Sequence, residues 1–187
     1  MKTIKLIAMS LIGILLFANN ATAQTNQFPT TRTIQGNGFT YQADVVGGIV
    51  VLYNRTNQFS GRPGSQRLRD GSPIPREFWF SGQSTVANNP DTVKNQITTI
   101  VRNALSAAER QRVGNNRLDV TLRINPDTGI ISEVEFRFDT DSPFTTIPVQ
   151  VYRNIEVNLK NQLRFTPTAK GRRLNFILFG MIDLRLQ

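Results

Sequence analysis

The chain contains no cysteine and no histidine. The first absence excludes disulfides, thiol nucleophiles and a lipidated cysteine, and the second removes the commonest general base; together they remove most zinc sites. No nucleophile elbow, S-x-x-K pair or phosphate-binding P-loop occurs anywhere in the 187 residues. There is one tryptophan. Long apolar runs are also lacking after residue 18, so no later stretch is expected to cross a membrane.

What is present begins with a delivery signal. Lys2 and Lys5 precede an apolar run from Leu6 to Ala18, and Ala21-Thr22-Ala23 follows as a small-x-small cleavage site. This is the layout of a secretory signal peptide spanning 1–23, cut near Ala23-Gln24, and it predicts a periplasmic or secreted protein with no transmembrane segment after cleavage. Loss of Lys2 and Lys5 leaves 20 basic against 13 acidic residues, lowering the net charge from +9 to +7. Such an excess suits anionic partners. The charges are scattered, however, and no aromatic-interleaved basic motif marks nucleic-acid binding.

Four segments are expected. Residues 1–23 are the signal, and the polar 24–38 a flexible leader. Residues 39–90 form a β-rich extension with a long Arg/Gly/Pro loop. Residues 91–187 form an α+β domain. Val45, Val46 and the run Ile49 to Leu52 favour strands, with Gly47-Gly48 between them as a hairpin turn or bulge. Gly and Pro break any regular element from 54 to 77, and five arginines fall there. Of these, Arg62, Arg67 and Arg69 are the candidates for anion binding. Phe78-Trp79-Phe80 reads either as a plug under this loop or as an exposed aromatic platform.

Asn89-Pro90-Asp91 is a helix start, and an apolar stripe from Val93 to Ala108 predicts a helix over about 91–112, ended by Gly114. Leu118 to Ile124 alternates as a strand with one wet face, and Pro126-Asp127-Thr128-Gly129 is a turn. Ile130 to Phe138 returns as a second strand. Ile147, Val151, Ile155, Leu159 and Leu163 then mark a helix over about 147–162. Leu174 to Leu186 reads as a last strand, apolar on both faces and so in need of a cover. Two carboxylates, Glu133 and Glu135, share one strand face. With cationic neighbours and water around them, they read as surface salt bridges. Asp139 and Asp141 offer oxygens without a full ligand set. No cofactor, no metal and no catalytic residue is expected.

The order helix, strand, turn, strand, helix, strand over 91–186 resembles the C-terminal domain of TonB-type energy transducers. The likeness rests on three pieces: Asn125-Pro126-Asp127-Thr128-Gly129 running into Ile130-Ile131-Ser132-Glu133-Val134; Leu163-Arg164-Phe165-Thr166-Pro167 after the second helix; and Gly171 before the last strand. Leu163 stands where the family has Trp, and Thr128 is an extra turn residue. The resemblance implies a small antiparallel sheet with two helices packed on one face, and peptide capture by strand addition at the last strand. Carried over, the partner-binding positions are Asn175, Ile177, Phe179 and Met181. With no Pro-rich spacer after the leader, the chain reads as a non-enzymatic binding protein of the Gram-negative envelope, engaging a protein or peptide. A homodimer through the same edge, and anion binding by the arginine loop, are the alternatives.

Overall fold

The computed structural model describes residues 25–62 and 64–184. The expected signal peptide lies outside them, as do residues 185–187. The fold is α+β. Six strands form one antiparallel sheet in the order β1-β2-β3-β5-β4-β6. They are β1 (Arg32–Gly36), β2 (Phe39–Val46), β3 (Ile49–Asn54), β4 (Leu118–Ile124), β5 (Ile131–Asp139) and β6 (Ile177–Leu184). The helices are α1 (Arg76–Phe80), α2 (Pro90–Ala104), α3 (Ala107–Val113) and α4 (Val149–Gln162). No helix among the described residues is long and apolar enough to cross a membrane.

The N-terminal strands join the sheet of the C-terminal half. Gly47 and Gly48 both take positive φ, the geometry of a two-residue hairpin turn that twists with its strands. β3 then pairs with β5, from Ile49 opposite Asp139 to Tyr53 opposite Glu135. The segment expected as a flexible leader is held. Phe28 is fully buried, with its ring edge-on to Phe138 and Tyr152, and the Gln27 amide donates to the Thr145 carbonyl at 2.7 Å. A single aromatic in a polar segment is enough to pin it, and β1 follows directly.

The helix expected over 91–112 is two helices. Asn89 caps α2 through the Thr92 amide, and the helix ends at Leu105. Ser106 starts α3 with a reciprocal capping box to Glu109. The stripe Val93, Ile97, Ile100, Val101 is buried, as are Tyr152, Ile155 and Leu159 of α4. These helices contact one another and cover the sheet face carrying Tyr41, Leu52, Leu122, Phe136 and Phe138. Tyr152 stacks on Phe138 at 5.7 Å and tilts against Phe136 at 5.2 Å.

The other sheet face is not the wet one the alternation predicts. Thr121, Arg123, Glu133 and Glu135 are all buried there. The loop after β3 lies across them as a strap.

Candidate functional site

The strap is built on Glu133. One carboxylate oxygen accepts the Gln58 amide at 2.6 Å and the Phe59 amide at 3.1 Å; the other accepts the Ser60 amide at 2.9 Å and its hydroxyl at 3.0 Å. Successive backbone N–H groups thus form an anion nest around a side chain of the chain's own sheet. Glu135 accepts from Arg123 Nη2 at 3.2 Å and from the Gly61 amide at 3.3 Å. Arg123 also donates to Ser60 Oγ at 3.0 Å. The two glutamates are salt-bridged, as expected, but in the dry. The buried guanidinium lies 5.8 Å from the Phe176 ring centre, and Phe59 packs on the same ring at 4.6 Å. Phe59 and Phe176 were the legible signal: one aromatic in an otherwise polar loop, and one on a stretch apolar on both faces and so in need of a cover.

The strap continues to β6 and there defines the site of interest. Leu68 bridges Leu174, and the Asn175 amide donates to the Arg67 carbonyl at 3.0 Å. The Asn175 side chain accepts the Arg67 amide at 3.0 Å and donates to the Ser65 carbonyl at 2.9 Å. Gln66 donates to the Phe176 carbonyl at 3.0 Å. These bonds end at Phe176. Beyond it, β6 is an edge strand, paired with β4 alone among the described residues. Residues 39–53, which form β2 and β3, lie on the far side of β5 and do not cover this edge.

The four positions assigned to partner binding therefore have different fates. Asn175 is spent on the strap. Ile177 is fully buried, and Phe179 packs against Phe165 at 5.1 Å, so both face the core rather than a partner. The side chain of Met181 lies outside the described residues. Leu178, not chosen from the sequence, is the exposed apolar side chain of this edge among the described residues. The strand also starts later than Leu174, at Ile177, because the strap contacts occupy Leu174, Asn175 and Phe176.

The loop arginines do not converge as a binding cluster. Arg69 pairs with Asp127 at 2.5 Å, and Arg67 donates to Gly71 O at 3.5 Å. Arg62 is exposed, its amide bonded to the Phe59 carbonyl at 3.2 Å. The aromatic triplet divides: Phe78 is the plug, and Trp79 and Phe80 are exposed.

A polar cleft of about 510 Å³ opens between the β1–β2 turn, the end of β3 and α4, above Glu156. That carboxylate is buried, bonded to the Tyr41 hydroxyl, to Arg153 at 2.9 Å and to Lys160 at 2.6 Å. Burial pushes its pKa up, but the bonds from Lys160 and Tyr41 and the Lys160 charge outweigh this and hold it below the ordinary carboxylate value. Tyr41 is driven far above the usual phenol range by burial and by Glu156. An ionised carboxylate held by Lys160 and Arg153 beside a firmly protonated phenol anchors α4 to β2.

Two comparisons identify relatives. A family model described as a domain of unknown function, DUF5043, matches residues 24–181. The crystal structure of a DUF5043 family protein from Bacteroides uniformis ATCC 8492, at 1.85 Å resolution, is similar, with TM-score 0.73 and 31% identity over 83% of this chain and 92% of that one. No protein of curated function matches the chain. On the strength of the match from Gln24 to Met181, the chain belongs to the DUF5043 family.

Proposed function

We propose that this protein is a non-enzymatic component of the cell envelope, delivered by a cleaved leader, that captures an extended segment of a protein or peptide partner by strand addition at β6. The observation that carries this reading is the edge itself. β6 is eight residues long and pairs on one side only among the described residues, and the strap occupies its start but stops at Phe176. An unpaired strand edge offers a row of backbone donors and acceptors to a partner strand. The resemblance to TonB C-terminal domains, with its two helices on one sheet face, supports the same edge. Two segments that carry the likeness meet in space, where the Phe165 amide donates to the Gly129 carbonyl at 3.0 Å. The engagement of Glu133, Glu135 and Glu156 in internal bonds supports a role without catalysis.

A photoreactive residue placed at Leu178 tests this in cells, with one at exposed Val46, on the distant β2–β3 hairpin, as control. An adduct to a second protein from position 178 alone is the expected outcome. An adduct of dimer mass from 178 would replace the proposal by self-pairing. No adduct, or the same adducts from both positions, would sink it.

A further inference from the structure

We propose that α1 and the adjoining turn at 169–173 dock the protein onto a membrane surface bearing anionic phospholipid. Trp79 and Phe80 are 50% and 74% exposed, neighbours on one short helix. Exposed single apolar residues are ordinary; two adjacent large aromatics on a rigid mount are not. The mount is rigid because the preceding residue, Phe78, is buried, its ring lying under Lys170 Nζ at 4.7 Å and the Arg173 guanidinium at 5.6 Å. Ser81 closes the helix by donating to the Phe78 carbonyl at 3.2 Å.

The charge around these aromatics is mostly positive. Arg76 lies 5.5 Å over the Phe80 ring, and Lys170, Arg172 and Arg173 stand on the neighbouring turn. Against these four cations stand Glu77 and, beside Arg173, Asp70, for a local charge of +2. Between α1 and the turn lies a cleft of about 490 Å³ lined by Ser81, Gln83, Lys170 and Arg173, among others. Lys170 uses one of its three donors on the Gln83 carbonyl, at 2.8 Å, and keeps the others for a phosphate.

This combination fits a lipid surface better than a sugar or a peptide. Phe80 carries no polar atom to meet a glycan, and the aromatics stand exposed instead of lining a groove that would receive a side chain. At a membrane, Trp and Phe enter the headgroup boundary while Arg and Lys meet the phosphates.

Trp79 is the chain's single tryptophan, so its emission reports on this helix alone. The protein recovered after expression and export of the full chain would be mixed with vesicles of phosphatidylethanolamine, with and without phosphatidylglycerol. The expected result is a blue-shifted emission and co-sedimentation with the anionic vesicles, falling as salt rises. Replacing Arg172 or Arg173 by Gln keeps the reporter and should weaken partitioning about fivefold for each charge. The double change W79S/F80S, at exposed positions that leave the core intact, should abolish sedimentation. Equal binding to both vesicle types, unchanged sedimentation of W79S/F80S, or no shift at low salt would each overturn the proposal. So would a shift produced by a soluble acidic polysaccharide and not by vesicles. The vesicles contain no protein, so the β6 edge takes no part in the outcome.

Discussion

Replacing Glu133 by Gln should release the strap without unfolding the sheet. In the native protein the two oxygens accept from three successive amides, Gln58, Phe59 and Ser60, and from the Ser60 hydroxyl. Glutamine keeps one acceptor oxygen and turns an NH2 toward the remaining donors. At least two bonds to a charged acceptor are lost, each worth about 1.5–3 kcal/mol, which gives roughly 3–6 kcal/mol. The strap can swing out and let water satisfy these groups, so the lower end, about 3 kcal/mol, is expected. Arg123 is not orphaned, because Glu135 stays 3.2 Å from its Nη2. Amide hydrogen exchange reads the effect directly. Protection of Gln58, Phe59 and Ser60 should fall by about a hundredfold, as roughly 3 kcal/mol requires, while amides of β4 and β5 stay protected. Unchanged protection at those three residues would refute the nest. Equal loss across β4 and β5 would show that the strap is not a separate unit.

Three further outcomes follow from other parts of the fold. Gly129→Ala combines a φ of +70° with a Cβ that would lie 1.9 Å from the Phe165 carbonyl oxygen, so a loss of at least about 2 kcal/mol in urea unfolding is expected; a change within about 0.5 kcal/mol would contradict the turn geometry. Phe28→Ala empties a fully buried site between Phe138 and Tyr152 and should cost about 3–4 kcal/mol in the same assay, where a flexible leader would give none. The folded pKa of Glu156 lies below its unfolded value, so its contribution is fully present above about pH 4.3 and is lost as pH falls through the folded pKa. The urea midpoint should hold down to about pH 5 and drop below about pH 4, and Glu156→Gln should flatten that acid limb; an unaltered limb in the variant would assign it to other carboxylates.

Much of the frame was readable because it rests on local patterns. The strand from Leu118 to Ile124 has its expected limits, and α4 follows the four-residue spacing of Val151, Ile155 and Leu159. The Gly47-Gly48 turn followed from backbone freedom. What local pattern cannot carry is pairing between distant segments. Alternation in β4 and β5 correctly put Arg123, Glu133 and Glu135 on one face, but it says nothing of what lies above that face. The cover comes from a loop some seventy residues earlier in the chain, recruited by backbone amides that every sequence possesses. The Phe28 anchor was missed for a similar reason: one aromatic gives no period. The split between α2 and α3 was visible in principle, since Ser106 and Glu109 form a capping box within an apolar stripe that otherwise reads as continuous.

The strap also decides which parts of the sheet a partner can reach. With helices on one face and the strap over Arg123, Glu133 and Glu135 on the other, recognition by the sheet faces is closed at those positions of β4 and β5. The two edges remain, and they are unequal. β1 has five residues, and just before it the Thr31 hydroxyl accepts the Val45 amide at 2.8 Å, tying the strand's start back to β2. β6 has eight residues, and the strap's bonds to it stop at Phe176. Because Ile177 is turned into the core and Phe179 packs on Phe165, a strand added at β6 would gain affinity from backbone bonds, and among the described side chains the exposed Leu178 would be the apolar one to meet it. Because Asn175 is bonded to the strap and Ile177 is fully buried, substituting either, the choices the strand pattern suggested, would test folding and not recognition.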